Sequence, residues 1–398
     1  MRNETKMKEA SIREEKVLFV IPCLQHGGTN RVLEDLLNLL DGDKLNMSIL
    51  CLRSPQEGEG YYYQVFSEKY NLYFQPYALE KMTWGRVMLA IHNRLRSHWG
   101  ISFLVEFFYR LSARIIEKRI TPDVVVAFEE GYATMMASFF KCRKIAWVHC
   151  DYQSYMNGNR SVLKKEAEFY NRYSNIVCVS KYTSGSFSKI FNGIRDRVIP
   201  IYNPINTLRI KKMSADHLQD SFFSTSAYKI VSVGRYAREK QFYKIPDIIK
   251  EIERLSHNQL KYEWYIIGSG YSVFIDETLR KIKEYSIEDK LFLLGAKDNP
   301  YPYIKAADLM VCTSSSEAYP TVINEAKVLG VPVVSNKFPS VKEILSGKEG
   351  RIADFEELPQ IIMEYINKGK SLHTDCYGHY EEYNNDIRET IVKLFSNN

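Results

Sequence analysis

No stretch of this sequence reaches the roughly 18 consecutive apolar residues that a membrane-spanning helix needs. The nearest, residues 101–109, is short and interrupted by Glu106, so the chain is not expected to cross a bilayer. Residues 1–16 are polar and mixed in charge, without the apolar centre of a secretory signal, and read as a frayed tail. The seven cysteines (Cys23, Cys51, Cys142, Cys150, Cys178, Cys312 and Cys376) are odd in number and form no CxxC pair, which fits a reducing cytoplasm. Cys142, His149 and Cys150 resemble a fragment of a metal site. No fourth ligand stands at zinc-like spacing, so no metal is expected. A long Lys/Arg stripe and a recognisable nucleic-acid module are also missing, which argues against a DNA or RNA partner.

What remains is the composition of an ordinary globular protein, with 45% hydrophobic and 26% charged residues. At 398 residues it exceeds what one core usually serves, so two domains are expected. Short β-branched runs alternate with helical periods, the signature of parallel sheets with crossover helices. The first series of strands is expected at 17–21, 48–52, 124–128, 145–148 and 176–179. The second is expected at 229–233, 264–267, 291–294, 309–312 and 333–335. Between them lies a polar, Ser-rich stretch after Asn203-Pro204, and the linker is expected near 204–225. This gives an N-terminal domain over 1–204, a second over 205–378, and a terminal helical segment over 379–398 that could pack back on the first. Open parallel sheets bind ligands beyond the carboxyl ends of their strands, so two such domains would enclose a cleft suited to a two-substrate reaction.

The strongest chemical signal is Ser316-Glu317-Ala318-Tyr319-Pro320-Thr321-Val322-Ile323-Asn324-Glu325, directly after the strand at 309–312. Pro320 is expected to open a helix, with Glu317 on the loop before it and Glu325 about one and a half turns in. Free amides at a helix N-terminus suit a diphosphate, and an ionised carboxylate at Glu325 suits the two hydroxyls of a ribose. An isolated pair of this kind is more often a solvated loop carboxylate and a helix-surface one. A second constellation follows the strand at 229–233, where Gly234-Arg235 is followed by Glu239-Lys240 at the start of a helix. Two cations beside one loop can stabilise a leaving diphosphate, although such a pair alone is more often surface.

Together, Gly234-Arg235, Glu239-Lys240 and the Glu317-x7-Glu325 arrangement resemble family 4 of the retaining glycosyltransferases, which have the GT-B fold. Ile266-Ile267-Gly268-Ser269-Gly270, Phe292-Leu293-Leu294-Gly295 and Gly330-Val331-Pro332-Val333-Val334-Ser335 resemble its intervening strands and turns. The resemblance implies an α/β chain with two Rossmann-like domains, acceptor-binding first and donor-binding second. It implies that Arg235 and Lys240 hold the donor diphosphate, that Glu325 holds the ribose, and that Glu317, Ala318, Tyr319, Pro320 and Thr321 meet sugar and phosphate. The loop after Gly295 would meet the base. Gln241 and Ala318 stand where the family often has glycine, which bears on donor preference.

In the first half the likeness is weaker. Gly27 and Gly28 sit in a turn that lets the backbone approach a ligand closely, without a GxGxxG fingerprint. In similar enzymes that turn faces the donor phosphates. His149 ends the strand at 145–148; a lone histidine there is more often simply buried, but the family usually has a sugar-contacting histidine at this place. The resemblance implies a metal-independent, retaining transfer of a hexose-type sugar from a UDP- or GDP-linked donor, without a further cofactor. The leaving phosphate would take the acceptor proton, with Glu317 as a nucleophile the alternative.

The net charge of +6 equals the excess of eight Lys and Arg over Glu106 and Glu117 within residues 81–119. Interleaved with Trp84, Trp99, Phe103, Phe107 and Phe108, these cations could meet an anionic membrane surface, or the aromatics could be core and the arginines a solvated face. A cytoplasmic enzyme, peripheral at the inner face of the membrane, acting on a saccharide or lipid-linked acceptor, is the expectation. The alternatives are a nucleotide-sugar epimerase or phosphorylase on the same fold, and a catalytically inactive binding protein.

Overall fold

A computed structural model describes residues 14–25, 27–53, 60–75, 99–155, 160–218, 223, 225–347, 349–369 and 380–396. Residues 81–98 of the basic segment, and Cys376, lie outside the described residues.

Two sheets organise the chain. The first holds β1 (Glu15–Ile21), β2 (Leu45–Cys51), β3 (Asn71–Phe74), β4 (Val124–Ala127), β5 (Arg143–Val148), β6 (Asn175–Cys178) and β7 (Val198–Pro200), in the order β3-β2-β1-β4-β5-β6-β7. The second holds β8 (Tyr228–Val233), β9 (Tyr262–Ile267), β10 (Leu291–Gly295), β11 (Leu309–Cys312), β12 (Val333–Asn336) and β13 (Gly350–Ala353), in the order β10-β9-β8-β11-β12-β13. β1 pairs in parallel with β2 and β4, and β8 with β9 and β11. In each sheet the order reverses beside its first strand, which creates a crevice at the carboxyl ends of β1 and β4 and another at those of β8 and β11.

The sequence explains the central strands directly. Val124, Val125, Val126 and Ala127 are all buried, as a strand covered on both faces must be. The covering helices carry one apolar stripe. In Ile245–Ser256, Ile245, Ile248, Ile249 and Ile252 are at most 1% exposed, and each contributes roughly 2 kcal/mol of apolar burial. They pack with Tyr228, Ile230, Trp264 and Leu309 of the sheet and with Leu358 and Ile362 of the helix Leu358–Lys368. Pro246 starts the first of these helices, and His257, in the left-handed conformation, ends it.

Three strands were not anticipated: β3, β7 and β13, each at a sheet edge. An edge strand is covered less completely and shows no unbroken apolar run; β3 is half-buried or exposed throughout, and β7 ends on Pro200. The glycine turn after β1 leads into the helix Gly28–Leu39, with Gly27 as its extended N-cap. Asn30 then donates to the carbonyls of Cys23 (3.1 Å) and Gln25 (2.8 Å) and folds the turn onto the helix.

By contact density the chain forms two compact units: Met1–Val148 with Ser161–Ile176 and Arg388–Asn398, and His149–Arg160 with Val177–Ile387. In the first, Arg388 grips Asp43 with two hydrogen bonds of 2.9 and 2.5 Å. Arg143 donates to the carbonyls of Leu394, Phe395 and Ser396, so a cation closes the carbonyl end of the last helix.

Candidate active site

The second unit gathers its chemistry at the crevice beyond β8 and β11. Gly234 turns the chain out of β8 at a φ of +156°, and the ends of β8, β9 and β10 meet backbone to backbone. Gly234 N donates to Ile267 O (3.0 Å), and Gly268 N donates to Gly295 O (2.8 Å). A β-carbon on Gly268 would lie 1.8 Å from Gly234 O, so no other residue fits there. Gly295 closes β10 at a φ of +69°, with no atom within 4 Å of a β-carbon placed on it.

Beyond Gly234, Arg235 is exposed. Its guanidinium is 3.7 Å from the Glu239 carboxylate and 5.8 Å from the centre of the Tyr271 ring. Glu239 and Lys240 sit in a short 3-10 turn, Arg238–Lys240, rather than at the start of the helix, which begins only at Ile245. The cause is Gln241, whose φ of +54° and ψ of +28° break the helical path. That left-handed backbone is where glycine is at home, and Gln241 adopts it at a cost of about 1 kcal/mol. Ala318, by contrast, takes no positive φ, so a β-carbon there adds no strain.

The acidic loop is laced to this turn. Thr313 Oγ1 donates to Lys240 O (2.7 Å), and Ser315 N donates to Glu239 O (2.8 Å). Lys240 Nζ lies 2.5 Å from Glu317 Oε1, and Ser314 Oγ donates to that same oxygen at 2.7 Å. Both contacts fall on Oε1, and Oε2 takes part in neither. Ser340 Oγ holds Glu317 O (2.7 Å), and Asn336 Nδ2 holds Ser314 O (2.8 Å), so the loop backbone is fixed from below. Burial alone would lower the Lys240 pKa, but the Glu317 carboxylate beside it outweighs that and holds the ammonium above its ordinary value. The thiol of Cys312 is pushed up by burial, with Glu317 adding to the shift.

Pro320 does not open the helix as its first residue. It is the N-cap, with extended backbone (φ −70°, ψ 110°), and the helix is Thr321–Val328. No side chain caps that end and no acid lies in its first turn. Ala318 and Tyr319 are buried. The Tyr383 hydroxyl donates its one hydrogen to Asn203 O (2.8 Å), so the Tyr319 hydroxyl, 2.9 Å away, donates to Tyr383. Glu325 is buried on the helix at 4% exposure. His149 follows β5 and is half-buried.

The structure therefore brings Lys240 and Glu317 into contact and pairs Arg235 with Glu239 instead. Gly27 and Gly28, exposed at the uncapped start of the helix Gly28–Leu39, belong to the first unit. Sequence reasoning missed the loop's supports: Thr313, Ser314, Ser340, Asn336 and Tyr383. Only the serine run Ser314-Ser315-Ser316 hinted at them. Among the described residues, no group of three or more His, Cys, Asp or Glu is placed to hold a metal ion.

Residues 26–209 match the family described as Glycosyltransferase Family 4, and residues 214–377 match Glycosyl transferases group 1. The chain belongs to glycosyltransferase family 4. It is 22% identical to the amylovoran biosynthesis glycosyltransferase AmsD of Erwinia amylovora, over 86% of each chain. It is also 22% identical to the lipopolysaccharide core biosynthesis glycosyltransferase LpsE of Rhizobium meliloti, over 79% of this chain and 83% of that one. The family 4 chain shares its fold with Anabaena HepE, solved with UDP and glucose, at a TM-score of 0.72. That match has 16% identity and covers 96% of this chain and all of the other. Its fold is therefore GT-B, as the motifs implied.

Proposed function

We propose that this glycosyltransferase moves a hexose-type sugar from a UDP- or GDP-linked donor to a saccharide or lipid-linked acceptor, in the synthesis of a surface polysaccharide or glycolipid. The observation that carries the reading is the Lys240–Glu317 pair, seated at the carboxyl ends of β8 and β11 beside an uncapped helix N-terminus. A cation, free amides and a carboxylate at one topological switch point suit a diphosphate joined to a polyhydroxyl group. The roles of AmsD in amylovoran biosynthesis and of LpsE in lipopolysaccharide core biosynthesis, and the UDP and glucose bound to HepE, support the same direction.

In this reading Arg235 and Lys240 neutralise the charge that grows on the leaving diphosphate, and no metal ion is required. The amides of Ala318, Tyr319, Thr321 and Val322 meet phosphate and sugar, Glu325 meets the ribose, and the loop after Gly295 meets the base. Residues 1–204 supply the acceptor side, and residues 205–378 supply the donor side. The bond from the anomeric carbon to the diphosphate oxygen breaks as the acceptor oxygen bonds to that carbon on the same face. The leaving phosphate takes the acceptor proton, so configuration is retained. Glu317 and His149 hold the transferred sugar.

A lipid-linked acceptor accounts for the cations of residues 81–119. On the described helix Trp99–Ile120, Phe107 is 51% exposed, and Arg110, Arg114 and Lys118 share its face at helical spacing. Peripheral contact with an anionic membrane follows from that composition.

A screen of nucleotide sugars with mass detection of products tests the reading. Transfer from a UDP- or GDP-sugar, lost in Glu317→Ala and weakened in Arg235→Ala, is the expected result. If no donor is consumed and both variants bind nucleotides as the unaltered protein does, the reading fails.

A further inference from the structure

Asp151, two residues beyond His149, is only 6% exposed, yet among the described residues none of its hydrogen-bond partners is a cation. Its two oxygens accept from five donors. Oδ1 takes Gln153 N (3.1 Å) and Ser186 Oγ (3.1 Å). Oδ2 takes Ser154 Oγ (2.8 Å), Ser316 Oγ (3.2 Å) and Tyr182 Oη (3.3 Å). Ser316 Oγ also lies 2.9 Å from Ser154 Oγ, so three side-chain oxygens form one small cluster. A carboxylate withdrawn from water is costly unless its lone pairs are met, and here they are met by groups from three separate segments.

The platform beneath it is rigid. Tyr182 and Ser186 ride on the helix Lys181–Ile190, whose leading amides are fully engaged. Ser180 Oγ accepts from Thr183 N (3.0 Å), and the Glu343 carboxylate accepts from Lys181 N and Tyr182 N at 2.8 Å each. Ser316, the third segment's contribution, is the immediate neighbour of Glu317.

We propose that Asp151 is a positioning residue that sets the register between the His149 turn and the Glu317 loop. One carboxylate fixes the chain two residues from His149, at Asp151 itself, and one residue from Glu317, through Ser316. Consecutive Cα atoms are held about 3.8 Å apart, so a shift at Ser316 is felt at Glu317. Misplacement of a reacting group by about 1 Å can cost roughly 10²-fold in rate. This assignment rests on the function proposed above for Glu317 and His149.

Asp151→Asn, Ser316→Ala, Ser316→Thr and the double variant Asp151→Asn/Ser316→Ala test it, with kcat, donor KM and thermal midpoint measured for each. Asp151→Asn should lower kcat by roughly 10- to 100-fold, with donor KM changed less than threefold and the midpoint little altered. Ser316→Thr, which keeps the hydroxyl, should retain most of the activity that Ser316→Ala loses. The double variant should be no slower than Asp151→Asn alone, because both changes break one link. Losses that multiply, or that merely track the thermal midpoint, overturn the proposal. Hydrogen exchange separates its fate from that of the functional reading. Faster exchange of the 314–321 amides in Asp151→Asn upholds the link even if no donor is turned over, and unchanged exchange refutes it.

Discussion

The ammonium of Lys240 and the carboxylate of Glu317 stand 2.5 Å apart, although 77 positions of sequence separate them. Each side chain is less than one-fifth exposed, so the pair lies between a surface ion pair and a buried one.

Lys240→Met should therefore lower kcat by about 10²- to 10³-fold, the scale of losing one preorganised donor to a developing negative charge. It should also destabilise the fold by ~2 kcal/mol near neutrality. Because the folded-state pKa of Lys240 is raised above 10.5, its contribution is complete below that value and disappears as pH climbs through the higher folded one. The gap in thermal midpoint between variant and parent should stay constant up to about pH 10 and close beyond it. A gap that widens with alkalinity contradicts the pairing.

Glu129 follows β4 in the first unit, and its carboxyl is pushed up to about 7 by burial, with Glu130 adding to the shift. The unfolded chain loses this proton near pH 4.5 and the folded chain only near 7, so stability falls as pH rises between the two. Glu129→Gln, a neutral isostere, should leave stability unchanged at pH 4.5 and raise it by ~2 kcal/mol at pH 8. Denaturant titrations at both pH values would reveal it, and equal effects at both would refute the burial argument.

The two glycines at the ends of β9 and β10 should behave very differently. Gly268→Ala drives a methyl group into the Gly234 carbonyl, and loss of soluble protein or a penalty above about 4 kcal/mol is expected. Gly295→Ala meets only the strain of its positive φ, roughly 1–2 kcal/mol. Comparable expression and melting of both variants would show that the ends of β8 and β9 do not touch.

Tyr383→Phe removes the acceptor of the Tyr319 hydroxyl and the donor to Asn203 O in one step. Burial raises the pKa of both hydroxyls, so both are neutral donors across the physiological range. The expected loss is about 1–2 kcal/mol of stability. A weaker grip on nucleotide should accompany it, read as a smaller thermal shift with UDP, since Tyr319 belongs to the loop before the helix Thr321–Val328. A full shift with UDP would mean the loop is held without the tyrosine chain.

Much of the fold was legible because the central strands of both sheets, such as β4 and β11, are buried on two faces and therefore written as unbroken apolar runs. The edge strands β3, β7 and β13 carry weaker patterns, since a flank open to solvent does not demand such a run. The helix Tyr380–Phe395 was readable from its period alone.

The sequence by itself determined the residues of the candidate site, because charged side chains and glycines after strand ends are local signals: Gly234-Arg235, Lys240, Glu317 and Glu325 could be marked from spacing. It also determined the parallel-sheet class and the family. Only the tertiary structure decided which groups meet. Lys240 with Glu317 and Asp151 with Ser316 are pairings set by strand order and loop path, and no local pattern encodes them. The left-handed Gln241 and the N-cap role of Pro320 were likewise decided there, since a backbone angle at one residue depends on where both flanking segments must go.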